Sequence, residues 1–369
     1  MSPPASLPFS SPFLYVLCQY GAEIVLKNEL AHAAEGWKPS YSRPGFVTFK
    51  RADAQEVDPA LRLGAIFPRE YGLSLGMLKL QDPNWVSEFL AWAQEFMARR
   101  APGARYRIHV CERQRYGGGE EPLNFDPQAW SAPARRELVR AGWQFGGRPE
   151  RADDAEWVID LVLVEEREAW IGAHVHHPEH SGYPGGVLPC DFPDEAPSRA
   201  YLKLAESELL WDIPFRKDDR VLEVGASPGG MSYACLERGM VVWGVDPGLM
   251  GPGLRAYGGA RFHHLRQPVF ELRKEQVSEP IDWILLDMNT PPDVSVESFR
   301  HVWGMWREGV LGALLVLKLN QWKTADHLPK FLEMLKDLGF SKMRARQLPS
   351  NRQEITVYLE TKRGLLRRV

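Results

Sequence analysis

Two lysines and two acids in the second half of the chain have types and positions that could do chemistry. Lys318 ends the very apolar run Leu311 to Leu317, and Asp287 ends another, Trp283 to Leu286. Lys203 sits in a predicted helix ahead of these runs, and Glu354 starts a late apolar stretch. A charge at the end of a buried strand is costly unless it is paired or used. Singly, each has an ordinary reading, such as a strand-end lysine snorkelling to water. Together they offer proton handling. An aliphatic hydroxyl is a poor nucleophile at neutral pH. A lysine whose pKa is lowered by burial and by a second lysine could take its proton. On this reading Lys318 is the base, Asp287 and Lys203 are its partners, and Glu354 orients. The set is defined better than the split of roles between the two lysines.

A glycine loop lies upstream, Glu223-Val224-Gly225-Ala226-Ser227-Pro228-Gly229-Gly230. It follows a predicted strand and opens a helix, where glycines let backbone approach a ligand closely. Its spacing is G-x-x-P-G-G, not the G-x-G-x-x-G of dinucleotide binders, and no phosphate-cradling G-x-x-x-x-G-K-[ST] is present. A nucleoside ligand with a zwitterionic tail suits it. Asp246 comes 21 residues after Gly225, at the end of the next predicted strand. A carboxylate there can accept from two ribose hydroxyls. A plain turn with a capping Asp explains the loop alone better than it explains loop and Asp246 together.

These residues need a scaffold. From residue 199 onward, strand and helix patterns alternate. Helix Arg199–Trp211 leads to strand Arg220–Val224, helix Gly229–Arg238, and strands Val241–Val245, Arg261–His264 and Trp283–Asp287. Helix Val296–Arg307, strand Leu311–Lys318, helix Ala325–Leu338 and strands Lys342–Gln347 and Glu354–Leu359 follow. That alternation predicts an α/β fold with a doubly wound, mostly parallel sheet. Ligands bind such sheets at the carboxyl ends of strands, where the candidate residues fall.

The first half reads as α+β. Strand Leu14–Cys18, helix Ala22–Ala31 and strand Gly45–Lys50 come first. Helix Trp85–Arg100, strand Tyr106–Cys111, a glycine-rich loop Tyr116–Pro122 and helix Pro133–Trp143 come next. A hairpin, Trp157–Val164 and Ala169–Val175, closes it. The Pro/Gly-rich stretch 181–197 reads as a linker.

Bulk composition fits this reading. The 369 residues suggest two or three domains, and 44% hydrophobic with 25% charged residues is ordinary for a globular chain with a full core. A net charge of −3 excludes a globally basic nucleic-acid binder, so any RNA contact must be local. Cys18, Cys111, Cys190 and Cys235 form no C-x-x-C pair, and reduced thiols in the cytoplasm are expected. No stretch approaches a membrane span or a signal peptide's core.

The second half resembles the FtsJ-type ribose 2′-O-methyltransferases, which carry a Lys-Asp-Lys-Glu set. The matching residues are Ser198-Arg199-Ala200-Tyr201-Leu202-Lys203-Leu204, the Gly225–Gly230 loop with Tyr233, and Val245-Asp246 with Gly248 and Met250. Asp287-Met288 with Pro292, Leu317-Lys318-Leu319 with Lys323, Arg346-Gln347-Leu348 and Glu354-Ile355-Thr356-Val357 complete them. Leu17-Cys18 with Gly21, and Gly45-Phe46-Val47, match more loosely.

The resemblance implies four segments: a small α+β domain over 1–60, a THUMP-like RNA-binding domain over 61–180, a linker over 181–197, and a Rossmann-like methyltransferase domain over 198–369. It implies S-adenosyl-L-methionine as cofactor, held by Glu223, Gly225, Ala226, Ser227, Pro228, Gly229, Gly230, Asp246, Gln267 and Asp287. It implies Lys203, Asp287, Lys318 and Glu354 as catalytic residues. The implied acceptor is a ribose 2′-hydroxyl of a cytidine in 23S ribosomal RNA, with no DNA partner. Another RNA such as a tRNA or a cap, or a non-catalytic RNA-binding relative, is the alternative. The chain departs from the family pattern at Glu223 (usually Asp), Pro247 (often Asn), Pro291-Pro292 and Gln267, where an Asp near the adenine is expected.

Two basic patches are candidates for RNA contact. Ser341 to Val369 hold eight Lys/Arg against two Glu, and Met97 to Tyr116 hold six arginines and one Glu, with Tyr106 and Tyr116 interleaved. His174, His176, His177 and His180, with Glu179, form the one metal-like cluster in sequence. No cysteine or carboxylate arrangement completes a site there, so no metal is assigned. The oligomeric state stays open.

Overall fold

The computed structural model describes residues 7–33, 36–80, 85–114, 151–165, 167–255, 260–277 and 279–368. The expected helix Pro133–Trp143 and loop Tyr116–Pro122 lie outside them. The chain divides into two compact units, residues 1–187 and 188–369.

Among the described residues the first unit has seven strands: β1 Phe13–Leu17, β2 Lys38–Arg43, β3 Phe46–Lys50, β4 Glu70–Lys79, β5 Tyr106–Glu112, β6 Trp157–Glu165 and β7 Glu168–Val175. They form one sheet in the order β2-β3-β1-β4-β7-β6-β5. Only β5 and β6 run parallel. Helices α1, Glu23–Ala31, and α2, Trp85–Arg100, accompany it. In α2 the buried Phe89, Ala93, Phe96 and Met97 recur at helical spacing and form one apolar stripe. The separate domain expected over 1–60 does not have a sheet of its own. The wholly apolar β1 is buried between β3 and β4 and pairs antiparallel with both, so it joins that segment to the rest.

The arginine-rich stretch 97–116 is only partly a surface patch: Arg99 and Arg105 are exposed, and other members are drawn into ion pairs. Arg107 is buried and its guanidinium lies 3.1 Å from Glu156 Oε2. Arg113 is buried, pairs with Glu165 at 3.0 Å and donates to the carbonyl of Pro44. Tyr106 is buried too. Arg100 pairs with Glu56 at 2.6 Å. β5 is buried on both faces, so the adjacent Tyr106 and Arg107 both lie inside the unit, where charge demands a partner. Arg115 and Tyr116 lie outside the described residues.

The second unit begins with α3, Ala200–Trp211. It continues with β8 Arg220–Val224, α4 Gly230–Glu237, β9 Val241–Val245, α5 Pro252–Arg255, β10 Phe262–Leu265, β11 Trp283–Leu286 and α6 Pro292–Trp306. β12 Gly312–Lys318, α7 Leu328–Lys336, β13 Lys342–Arg346, β14 Glu354–Glu360 and α8 Lys362–Arg367 complete it. Its sheet has the order β10-β9-β8-β11-β12-β14-β13. The strands β10, β9, β8, β11 and β12 are parallel. β14 runs antiparallel between β12 and β13. Central strands such as β11 and β12 are apolar on both faces because helices cover both. The core gathers Leu204, Met231, Leu285, Leu314, Val316 and Tyr358. This is the doubly wound α/β sheet expected.

From β8 the chain winds outward through β9 and β10, then returns to β11 on the other side of β8. That reversal opens a crevice at the carboxyl ends of β8 and β11. Because β14 is reversed, its first residue reaches the same end.

The basic C-terminal stretch is partly consumed by this packing. Arg344 donates to the carbonyl of Trp211, Arg367 pairs with Asp219 at 2.6 Å, and Arg368 pairs with Glu360 at 2.6 Å. Lys342, Arg352, Lys362 and Arg363 remain exposed. No helix among the described residues is long and apolar enough to cross a membrane.

Candidate functional site

The glycine loop leaves β8 at Val224 and enters α4 at Gly230. Gly225 has φ of +78°, and a Cβ there would sit 2.6 Å from the Asp287 carbonyl oxygen. A larger residue would push the ends of β8 and β11 apart. At Gly230 a Cβ would meet the Ser198 carbonyl oxygen at 2.7 Å, so the start of α4 lies against the segment entering α3. The Ser227–Pro228 peptide bond is cis.

Asp246 follows β9. Its Oδ2 accepts from Ser227 N at 3.2 Å and its Oδ1 from Gly248 N at 2.6 Å. The carboxylate is therefore fixed beside the loop, with lone pairs left over for a further donor. Glu223 is buried behind the loop and accepts a hydrogen bond from Ser232 Oγ. Burial, helped by the charges of Asp287 and Asp246, pushes its carboxyl up to about 8 against the pull of the Ser232 bond.

These groups line a cavity of about 760 Å³. Its wall includes Glu223, Gly225, Ala226, Ser227, Pro228, Gly230, Asp246 and Asp287 from the expected cofactor set. Gly229 and Gln267 are not among the lining residues. Gly229, with φ of +112°, turns the chain into α4. The Gln267 amide exchanges two hydrogen bonds with the Gln276 amide, at 3.0 and 2.9 Å, which turns it away. Pro268, Val269 and Phe270 line the wall in its place.

Lys203, Asp287, Lys318 and Glu354 meet at one side of the cavity and alternate in charge. Lys203 Nζ lies 2.8 Å from Asp287 Oδ2 and 2.8 Å from Glu354 Oε1. Lys318 Nζ lies 3.0 Å from Asp287 Oδ1 and 2.5 Å from Glu354 Oε2. Each lysine bridges both acids. The Lys203 side chain is 7% exposed and that of Lys318 is 20% exposed, so Lys318 is the more open to an incoming group.

One electrostatic expectation is reversed. The sequence suggested a lysine made less basic by burial and by its neighbour lysine. Burial does pull the Lys318 ammonium down, but the carboxylates of Asp287 and Glu354 outweigh it and hold its pKa above the ordinary lysine value. Glu354 is held below the ordinary glutamate value: burial raises it, and Lys203 and Lys318 more than compensate. Two contacting acids count for more than one lysine beyond them.

Sequence reasoning missed part of the rim. Phe270, 53% exposed, comes from a short 3-10 turn with no periodicity to mark it. Arg352, Ser350 and Asn289 also line the cavity from loops. Ser350 is anchored by Glu206, which accepts from both its N and its Oγ. Arg199, four residues before Lys203, lines the cavity as well; in the sequence it stood only as part of the family-matching run Ser198 to Leu204.

The histidine cluster is assembled differently from its sequence order. Glu179 accepts from Tyr71 Oη and Gly64 N, while the carboxylate brought to His174 and His180 is Glu70 of β4.

Comparison with known proteins bears on this geometry. Residues 196–354 match the family described as FtsJ-like methyltransferase. The chain is similar to the protein named ribosomal RNA large subunit methyltransferase M of Pseudomonas fluorescens, 28% identical, over 94% of this chain and 96% of that one. It is similar to the protein of the same name from Haemophilus influenzae, 25% identical, over 95% of this chain and 99% of that one. Among solved structures, TrmN from Thermus thermophilus aligns at 16% identity over 94% of this chain and 99% of its own, with a TM-score of 0.36. The family match contains the glycine loop, the cavity wall and all four charged residues, and residues 196–354 are thus an FtsJ-like methyltransferase domain.

Proposed function

We propose that the protein is an S-adenosyl-L-methionine-dependent ribosomal RNA methyltransferase that modifies a ribose 2′-hydroxyl, with a cytidine of 23S ribosomal RNA as the acceptor. The observation that carries this reading is the alternating Lys203–Asp287–Lys318–Glu354 quartet at the edge of the cavity. The relatives' printed name supports the RNA class.

The cavity fits the cofactor. Its volume suits a nucleoside-sized ligand. The Gly225 backbone leaves a cradle that a Cβ would fill. Asp246 stands ready for ribose hydroxyls, and buried Glu223 for an ammonium. Bound there, S-adenosyl-L-methionine supplies an electrophilic methyl on a sulfonium.

The chain's own residues do the rest. The glycine loop and Asp246 orient the ligand, and the quartet fixes the acceptor oxygen, because alignment supplies much of the rate. Lys318, the more exposed lysine, takes the hydroxyl proton once it has lost its own. Docking of the acceptor strips water from Lys318 and so strengthens the burial effect that already pulls its pKa down. Asp287 and Glu354 keep its Nζ aimed. In the N-terminal unit, read as THUMP-like, exposed Arg62 and Arg105 support a role in holding RNA, and the reaction takes place in the cytoplasm.

The test is to incubate the protein with methyl-labelled S-adenosyl-L-methionine and either naked or assembled ribosomal RNA, then map the label. Label on one ribose, resistant to alkaline cleavage at that position, is expected. Label on a base, or no transfer to any RNA, overturns the reading.

A further inference from the structure

A second cluster of reactive side chains lies in the N-terminal unit. Glu70 is the first residue of β4, His174 lies near the end of β7, and His180 sits in the turn beyond it. All three are buried. One ligand-type atom from each, an oxygen of Glu70 and a ring nitrogen from each histidine, falls within a 4.8 Å group. Glu70 Oε1 contacts His180 Nδ1 and lies 4.0 Å from His174 Nε2.

Behind them sits Asp160 of β6, fully buried, with Oδ2 2.8 Å from His174 Nδ1. That bond fixes the His174 ring and its tautomer. It turns Nε2 toward Glu70, where this nitrogen has no hydrogen-bond partner among the described residues. A carboxylate on the far nitrogen of a ligating histidine is the usual support of a metal ligand.

From this arrangement we propose that Glu70, His174 and His180 form a binding site for a divalent cation of the zinc class. Two histidines and one glutamate are a nitrogen and oxygen set that zinc accepts, with a fourth position left for water. The rings of His174 and His180 stack with centroids 4.2 Å apart. An imidazole lone pair lies in its ring plane, so coordination turns the His180 ring out of that stack and draws the donors to ~2 Å from the ion. The bound ion ties β4, β7 and the turn after β7 together.

The experiment uses the full-length, untagged protein, dialysed against a chelator and then titrated with zinc. Uptake of about one zinc per chain is expected, as for one set of three protein ligands. Cobalt(II) should give the intense visible ligand-field bands of a four-coordinate site, removed by added zinc. Glu70→Gln and His174→Asn should abolish stoichiometric uptake. Asp160→Asn should weaken it about ten- to a hundred-fold. His263→Asn, in the other unit, should leave it unchanged. If the cluster variants do not fold, wild-type uptake and hydrogen exchange at β4 and β7 with and without zinc decide. No stoichiometric uptake by the wild type overturns the site. Uptake that is unchanged in folded Glu70→Gln and His174→Asn, or zinc-independent exchange at β4 and β7, overturns it as well.

Discussion

Lys318 and Glu354 are directly paired across two antiparallel strands, at the last position of β12 and the first of β14, with Nζ 2.5 Å from Oε2. Backbone register therefore sets the distance between the proposed base and one of the acids that keeps it charged. Replacing Glu354 by Gln removes part of the field that holds the Lys318 pKa up. The ascending limb of the pH–rate profile should move to lower pH while the plateau falls. A profile whose limb stays in place would show that Lys318 is not the titrating group.

Lys318→Ala removes the proposed proton acceptor but leaves the glycine loop and Asp246 in place. Methyl transfer should fall by about 10²–10⁴. Cofactor affinity, read by calorimetry, should change only slightly. Comparable losses in both would recast Lys318 as a binding residue.

Glu223 links the cofactor wall to pH. Its carboxyl is pushed up to about 8, from an ordinary value of 4.5. Between those values the unfolded chain gives up its proton while the folded chain keeps it. Folded protein then binds more protons, so stability is fully present below the unfolded value and is lost as pH rises through the folded one, by at most ~5 kcal/mol. Glu223→Gln stays neutral and should flatten that fall. Urea midpoints followed through this range check it, and equal slopes for both proteins would refute it.

Gly225→Ala places a methyl group against the Asp287 carbonyl at a φ of +78°. The backbone strain alone is worth ~1–3 kcal/mol. The β8 and β11 ends should separate and cofactor affinity should drop by about tenfold or more, the equivalent of ~1.4 kcal/mol. Thermal unfolding and ligand titration report the two effects separately.

Arg107→Ala removes the cation of a buried ion pair with Glu156, whose side chains are 2% and 0% exposed. The expected cost is about 3–5 kcal/mol of stability. RNA affinity of the protein that remains folded should hold. A selective loss of RNA binding without loss of stability would restore the arginine stretch as a contact surface.

Much of the methyltransferase unit could be read from residues because its signals are local. Apolar runs that end in a charge marked β11 and β12, and the glycine loop marked the turn between β8 and α4. The quartet was legible for the same reason. The pKa of Lys318 was not, because it depends on two carboxylates that come from strands 31 residues before it and 36 residues after it. The first unit gave weaker signals. β4 escaped because Gly72 and Gly76 interrupt it and a bulge shifts its register at Ser74 and Gly76. β2, Lys-Pro-Ser-Tyr-Ser-Arg, is a polar edge strand with no alternation. Arg107 and Arg113 looked like a surface patch because their acid partners, Glu156 and Glu165, lie about fifty residues away. Gln267 was placed in the cavity wall by position alone. Its partner Gln276 sits in a 3-10 turn that no periodicity announces.

The insertion of β14 between β12 and β13 has a consequence for the timing of assembly. Among the described strands, the one that carries Glu354 comes latest in the chain, and it fills an interior place in the sheet. A growing chain can wind its parallel strands and form the glycine loop while Lys318 still lacks its cross-strand acid. The quartet closes only when the final strand slides into its gap. On the proposed role of the quartet, competence for chemistry is expected late in folding, because it waits on a long-range pairing with slow loop closure.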